Sequence, residues 1–299
     1  MCEARVCVVT GAGRGIGRAH AELLAAHGAL VVVNDLGTAV DGSGTDRSLA
    51  DDVVASITRD GGVAIANHDN IASWEGAQRL INTAIEHFGG LDVVVNNAGI
   101  LRDRVLVNMT ENEWDAVIDT HLKGTFAMSR WAGSHWRERA KSGQTNNARI
   151  INTTSVSGLY GNLGQTNYGA AKAGIAMFTQ IAATELGRYG VTVNAIAPLA
   201  LTRMNQGLPQ MVDASDEQRD RLSTRKVAEV AVWLASPDTD DISGRVFEAS
   251  GEILAIAEGW HRGPTADSVV DERDLDTVLR RLLTRARPNA DIDGQDSPD

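Results

Sequence analysis

Runs of four or five residues that are apolar at almost every position recur along the chain, as in VCVVT, LVVVN and VVVN. Each is followed by a longer stretch in which apolar residues return every three or four places. Runs apolar throughout suit strands covered on both faces, and the longer period suits the helices that cover them. On this pattern strands are predicted over residues 5–10, 30–34, 64–67, 93–96, 149–153, 192–196 and 245–249. Helices are predicted over residues 15–27, 49–59, 74–88, 111 to about 141, 167–188 and 226–235, the third of them stopped by Gly89-Gly90. The alternation runs without a linker. Residues 1–262 therefore read as one α/β domain, a doubly wound parallel sheet of about seven strands with helices on both faces.

Two segments stand apart from the alternation. Residues 36–48, LGTAVDGSGTDRS, form a Gly/Asp/Thr-rich loop longer than most strand-to-helix connections. Residues 263–299 form a C-terminal extension in which Leu275, Val278, Leu279, Leu282 and Leu283 share one face of a helix predicted over 272–287. The polar run NADIDGQDSPD after it is expected to be disordered.

Composition narrows the picture. With 43% apolar and 22% charged residues among 299, the chain can bury a full core. A net charge of -11 supplies no global positive field, so neither nucleic acid nor an anionic membrane is expected as a partner. A ligand carrying phosphate must then be held by local groups. Cys2 and Cys7 are the two cysteines, which rules out a disulfide framework and leads us to expect a reducing, cytoplasmic setting. No leader-like stretch precedes the first strand and no apolar run approaches the length of a bilayer span, so neither a signal peptide nor a membrane anchor is expected. No metal site is predicted.

Thr10-Gly-Ala-Gly-Arg-Gly-Ile-Gly17 lies between the first strand and the first helix. Glycines let the backbone approach a pyrophosphate, and a helix N-terminus offers N–H groups and the positive end of its dipole. The spacing is Gly11-x3-Gly15-x-Gly17, which departs from G-x-G-x-x-G. Gly11, Arg14, Ile16 and Gly17 are the candidate cofactor contacts of this loop. Asp35 follows at the end of the second strand. A carboxylate there accepts from both adenosine ribose hydroxyls and repels a 2′-phosphate, so NAD is favoured over NADP. Arg14 and Arg47 are the cations that could instead meet a phosphate.

Tyr168 and Lys172 sit four apart in Tyr-Gly-Ala-Ala-Lys and so share one face of a helix. A tyrosine hydroxyl, with a pKa of about 10, is a poor base at neutral pH. An ammonium one turn away stabilises the phenolate and draws that pKa towards the range useful for general acid–base catalysis. Ser155, earlier in the chain, could hold a substrate oxygen by hydrogen bond. Together the three suggest proton transfer to or from a hydroxyl while a neighbouring cofactor exchanges a hydride.

The glycine loop, Asn96-Asn-Ala-Gly99 after the fourth strand, Ser155 and the Tyr168/Lys172 pair stand in the order and spacing of the short-chain dehydrogenase/reductase family, which the chain resembles. More narrowly, VVVNDLG, VVVNNAGILRDR, HLKGTF, SGLYGNLGQTNY and FEASGEI are similar to the (3R)-hydroxyacyl-CoA dehydrogenase unit of peroxisomal multifunctional enzyme type 2. This likeness covers about residues 6–262 and leaves out the tail. The resemblance implies a Rossmann fold with Tyr168 as the acid/base. Lys172 would lower its pKa and bind the nicotinamide ribose, Ser155 would orient the hydroxyl or carbonyl, and Asn96 would lie beneath the cofactor. Asp69 and Asn70 match an adenine-contacting pair, and Thr202 matches the residue that holds the nicotinamide carboxamide. There are two departures. His121 stands where many members carry an asparagine whose backbone supports a proton-relay water. Pro198-Leu199 replaces the usual Pro-Gly, which stiffens the loop leading to Thr202.

The resemblance puts a 3-hydroxyacyl-CoA first as substrate, with Arg102, Arg104 and Arg203 able to supply charge for CoA phosphates. A hydroxysteroid or steroid side-chain CoA thioester is the next reading. A 3-oxoacyl-carrier-protein, normally reduced with NADPH, is a third that Asp35 opposes. A non-catalytic nucleotide-binding scaffold is opposed by the intact Ser155, Tyr168 and Lys172. Ile175, Met177, Phe178, Ile181 and Ala182 are spread around the helix predicted over 167–188, and such breadth implies a buried helix or a subunit interface. Since the family pairs this helix with its symmetry mate, a homodimer or homotetramer is expected.

Overall fold

The computed structural model describes residues 1–200, 222–267 and 271–296. The first half runs β1 (Val6–Thr10), α1 (Gly15–Ala26), β2 (Leu30–Asn34), α2 (Ser48–Arg59), β3 (Val63–Asn67), α3 (Trp74–Phe88) and β4 (Val93–Asn96). Next come α4 (Glu111–Ile118), α5 (Gly124–Lys141), β5 (Ala148–Thr153), α6 (Val156–Leu159), α7 (Thr166–Leu186) and β6 (Val191–Pro198). The described chain finishes with α8 (Thr224–Ala235), β7 (Val246–Ala249), β8 (Leu254–Ala257) and α9 (Leu275–Arg285).

Alternation inside the apolar runs assigns each helix to a face. Cys7, Val9, Val31, Val33 and Val95 join one core, closed by Leu24 of α1, Val53 of α2 and Val232 of α8. Val6, Val8, Val32, Val94 and Ile150 join the other, closed by Leu80 of α3 and by Met128 and Trp136 of α5. Neighbouring residues of one strand thus serve opposite layers, as the period of two requires.

One sheet of eight strands results, in the order β3-β2-β1-β4-β5-β6-β7-β8. Seven are parallel, matching the predicted strands, and β8 adds an antiparallel edge to β7. The sequence reading missed β8 because LAIA is too short to show a period. A turn makes it, in which the Ser250 hydroxyl accepts from the Glu252 and Ile253 N–H groups at 3.0 and 2.9 Å. The helix predicted from 111 to about 141 is also interrupted. A π-helical turn over Asp119–Lys123 separates α4 from α5 and carries His121 into the interior. Such wide turns recur at functional sites.

The apolar runs end in polar residues that register places side by side at the carboxyl edge of the sheet. Thr10, Asn34 and Asn67 align across β1, β2 and β3, and Asn96 aligns with Asn152. The amides meet in pairs: Asn34 Nδ2 donates to Asn67 Oδ1, and Asn96 Nδ2 donates to Asn152 Oδ1, both at 2.9 Å. Because β1 lies beside β4 while the chain leaves them towards opposite edges, a crevice opens above their carboxyl ends.

Candidate active site

The β1–α1 turn forms one wall of that crevice. Gly11 and Gly15 adopt the left-handed φ that favours glycine. A Cβ on Gly11 would lie 2.7 Å from the Ala98 Cα, and one on Gly17 would collide with the Gly11 carbonyl and the Asn97 amide. Asn97 closes the turn by donating its Nδ2 to the carbonyls of Thr10 and Gly11 at 3.0 and 3.1 Å. The Thr10 hydroxyl in return accepts from the N–H groups of Asn97 and Ala98. Helix α1 starts after Arg14 with no side-chain cap and no acidic residue in its first turn. A dinucleotide pyrophosphate suits such an end.

Asp35 faces the same turn. Its Oδ2 accepts from the Gly13 N–H and its Oδ1 from the Gly37 N–H, both at 2.7 Å. A carboxylate has about four lone-pair sites, so capacity remains for ribose hydroxyls. Asn96 is buried at the floor, where its Oδ1 has no partner among the described residues. An uncapped helix end, a glycine cradle and a carboxylate beside them fit a nicotinamide dinucleotide. Asp69 and Asn70 follow β3 farther along the same edge. Asp69 pairs with Arg79 at 2.7 Å, and Asn70 Oδ1 accepts from the Ala72 N–H. Thr202 and Arg203 lie outside the described residues.

Ser155, Tyr168 and Lys172 come together where β5 feeds α6 and α7 begins. Ser155 is the N-cap of α6, a four-residue helix the sequence reading did not predict, and its Oγ accepts from the Ser157 N–H at 3.2 Å. A Cβ on Gly158 would lie 2.6 Å from the Ala173 N, so only glycine lets α6 approach α7 so closely. Asn167, fully buried, donates its Nδ2 to the carbonyls of Arg102 and Glu113 at 3.0 Å each, anchoring the start of α7. Lys172 donates its Nζ to the Thr153 carbonyl at 2.6 Å and lies 5.5 Å from the centre of the Tyr168 ring.

Burial governs the electrostatics of this cluster. It pushes the Lys172 ammonium down to about 7. It raises the Tyr168 phenol above its ordinary value, opposed by a hydrogen bond to Ser155 and reinforced by the Asp103 carboxylate. Burial therefore works against the lowering of the Tyr168 pKa that the pairing with Lys172 suggests. His121 is held down to about 3 by burial, with the charge of Lys172 adding to the effect and a backbone bond to Ile100 opposing it. The imidazole is neutral at working pH.

Of the arginines offered for CoA phosphates, the two within the described residues are engaged elsewhere. Arg102 donates its Nε to the Asp41 carbonyl at 2.8 Å, and Arg104 pairs with Glu113 at 3.0 Å. Sequence reasoning missed Asn97, Asn152 and Asn167, the amides that hold the walls in place. Their one signal was position, since each ends or follows an apolar run or opens a helix.

Fold and crevice define a dinucleotide-linked oxidoreductase. Residues 5–213 match the short chain dehydrogenase family. The chain is 41% identical over 298 residues to hydroxyacyl-CoA dehydrogenase ChsB1 of Mycobacterium tuberculosis, covering 98% of this chain and 92% of that one. It is 42% identical over 290 residues to peroxisomal multifunctional enzyme type 2 of Mus musculus, covering 96% of this chain but 36% of that larger protein. A crystal structure of a short chain dehydrogenase from Mycobacterium avium superposes with a TM-score of 0.87 at 48% identity, covering 97% of this chain and 98% of that one. Another from Burkholderia cenocepacia, in complex with NADP, superposes with a TM-score of 0.71 at 30% identity, covering 84% and 98%. The chain belongs to the short-chain dehydrogenase/reductase family, whose members use NAD(P), and it is an oxidoreductase acting on CH–OH groups.

Proposed function

We propose that this protein catalyses the reversible, NAD-linked oxidation of a 3-hydroxyacyl-CoA thioester to the 3-oxoacyl-CoA. The reading is carried by the convergence of Ser155, Tyr168 and Lys172 beside a crevice that fits a dinucleotide. The likeness to a hydroxyacyl-CoA dehydrogenase over nearly the whole chain supports the substrate class. Ser155 holds the substrate oxygen, and the Tyr168 phenolate takes the hydroxyl proton. Lys172, anchored on the Thr153 carbonyl, holds its Nζ beside the Tyr168 ring, where its charged form would favour that phenolate. The bound nicotinamide supplies the hydride acceptor.

Asp35 favours NAD, because a 2′-phosphate would meet its carboxylate. Residues 1–262 form the catalytic domain in this proposal, with 263–299 as an extension. The setting is cytoplasmic, consistent with Cys2 and Cys7 both being free thiols.

The test is an assay of 3-hydroxyacyl-CoA, free steroid alcohols and 3-oxoacyl-carrier-protein with NAD(H) and NADP(H). We expect the hydroxyacyl-CoA with NAD to give the highest kcat/KM. Tyr168→Phe is expected to lower turnover by about a thousandfold or more while NADH binding changes less than about threefold. Near-normal turnover by this variant would remove Tyr168 from the acid/base role.

A further inference from the structure

The long loop after β2 spans the crevice. Residues 36–48 leave Asp35 at the end of β2 and touch the segment that follows β4, where the Leu101 N–H donates to the Val40 carbonyl at 2.9 Å. Arg102 donates to the Asp41 carbonyl, and Gly42 packs against Ile100, where a Cβ would lie 3.0 Å from Cδ1. Strand β1 lies between β2 and β4, so this strap crosses above the carboxyl end of β1 and its glycine loop.

Ile100 continues the connection inward. Its N–H lies 3.1 Å and its carbonyl oxygen 2.8 Å from the same His121 Nε2. The ring nitrogen accepts from the first in one tautomer and donates to the second in the other. The imidazole meets the Tyr168 ring edge-on, with centroids 5.2 Å apart and planes at 89°. It sits over Gly99, where any Cβ would collide with the imidazole. The π-helical turn aims His121 at this spot, and its Nδ1 is buried without a partner among the described residues.

We propose that His121 is a positioning residue that couples the strap over the cofactor crevice to the catalytic tyrosine, through Ile100. The proposal rests on the reading of Tyr168 and NAD given above. Anchoring of the strap by Arg102 then serves two ends: it retains the cofactor, and through Ile100 and His121 it holds the Tyr168 ring in register with the substrate. Coupling of this kind needs contiguous contacts and shows as non-additivity.

The test uses the full chain, with NADH release followed by stopped-flow fluorescence and the chemical step by single turnover. A 3-hydroxybutyryl N-acetylcysteamine thioester serves as substrate, since it lacks the phosphates of CoA. Arg102→Ala is expected to speed NADH release and slow the chemical step, each by about tenfold. His121→Gln keeps a nitrogen within reach of Ile100 but loses the ring edge against Tyr168. It should release NADH within about twofold of the wild-type rate while slowing the chemical step by about tenfold. Adding Arg102→Ala to His121→Gln should speed NADH release but slow the chemical step no further. Full additivity in the chemical step, or no effect of Arg102→Ala on it, would overturn the coupling. Absence of NADH binding by the wild-type protein, or normal turnover by Tyr168→Phe, would instead overturn the underlying functional reading.

Discussion

Lys172 is a cation carried into the core beside Tyr168, and its protonation ties stability to pH. Folded, it loses its proton near pH 7, against an ordinary value of 10.5. Between those values the unfolded chain holds the extra proton, so this residue makes stability rise with pH across that window. Below about pH 7 both states are protonated, and the full cost of burying the ammonium, on the order of a few kcal/mol, is present. Lys172→Met should therefore raise Tm at pH 6 and raise it much less near pH 10, read by thermal denaturation of both proteins at each pH. A Tm difference that does not change with pH would show that burial does not shift this ammonium. The three residues proposed for catalysis could be singled out in the sequence, Tyr168 and Lys172 because a spacing of four places them on one helix face. The dominance of burial was not, since it depends on how α6, α7 and β5 close around these groups. His121 shows the same limit: a histidine within a predicted helix says nothing of Ile100 or of the Tyr168 ring edge.

The β1–α1 turn shows how far a single element can be derived. Glycines between an apolar run and a helix marked it as a candidate phosphate loop, and α1 starts there without a side-chain cap. That Gly17 is required by the Gly11 carbonyl and the Asn97 amide became visible only once β4 lay beside β1. Gly17→Ala should lower Tm by roughly 5 °C or more and weaken NADH binding, checked by calorimetry and fluorescence titration, because backbone and a hydrogen-bonded amide cannot step aside. An unchanged Tm would mean the turn is more yielding than its contacts indicate. The π-helical turn and β8 escaped the periodic reading for related reasons. One extra residue in a helical turn barely disturbs a pattern spanning about thirty positions, and a four-residue edge strand has too few positions to establish one.

At the scale of the molecule, the outer face of α7 leaves Met177 45% and Ile181 52% exposed, while Ile175 and Ala182 are buried in the same helix. Apolar residues in water on the helix that bears Tyr168 and Lys172 suit the homodimer or homotetramer proposed for this chain. Ile181→Glu should shift sedimentation to a smaller species while leaving the helical circular dichroism intact, and an unchanged assembly would place the interface elsewhere. No helix among the described residues is long and apolar enough to cross a membrane. The doubly wound architecture, the place of the phosphate loop and the identity of Ser155, Tyr168 and Lys172 all follow from short-range patterns, since strand period, helix period and glycine spacing are local properties of a chain. The antiparallel β8 edge, the strap reaching Arg102, the depressed Lys172 pKa and the contact of His121 with Tyr168 join residues far apart in sequence. Long-range packing and loss of solvent create those features, and neither has a period to be read along the chain.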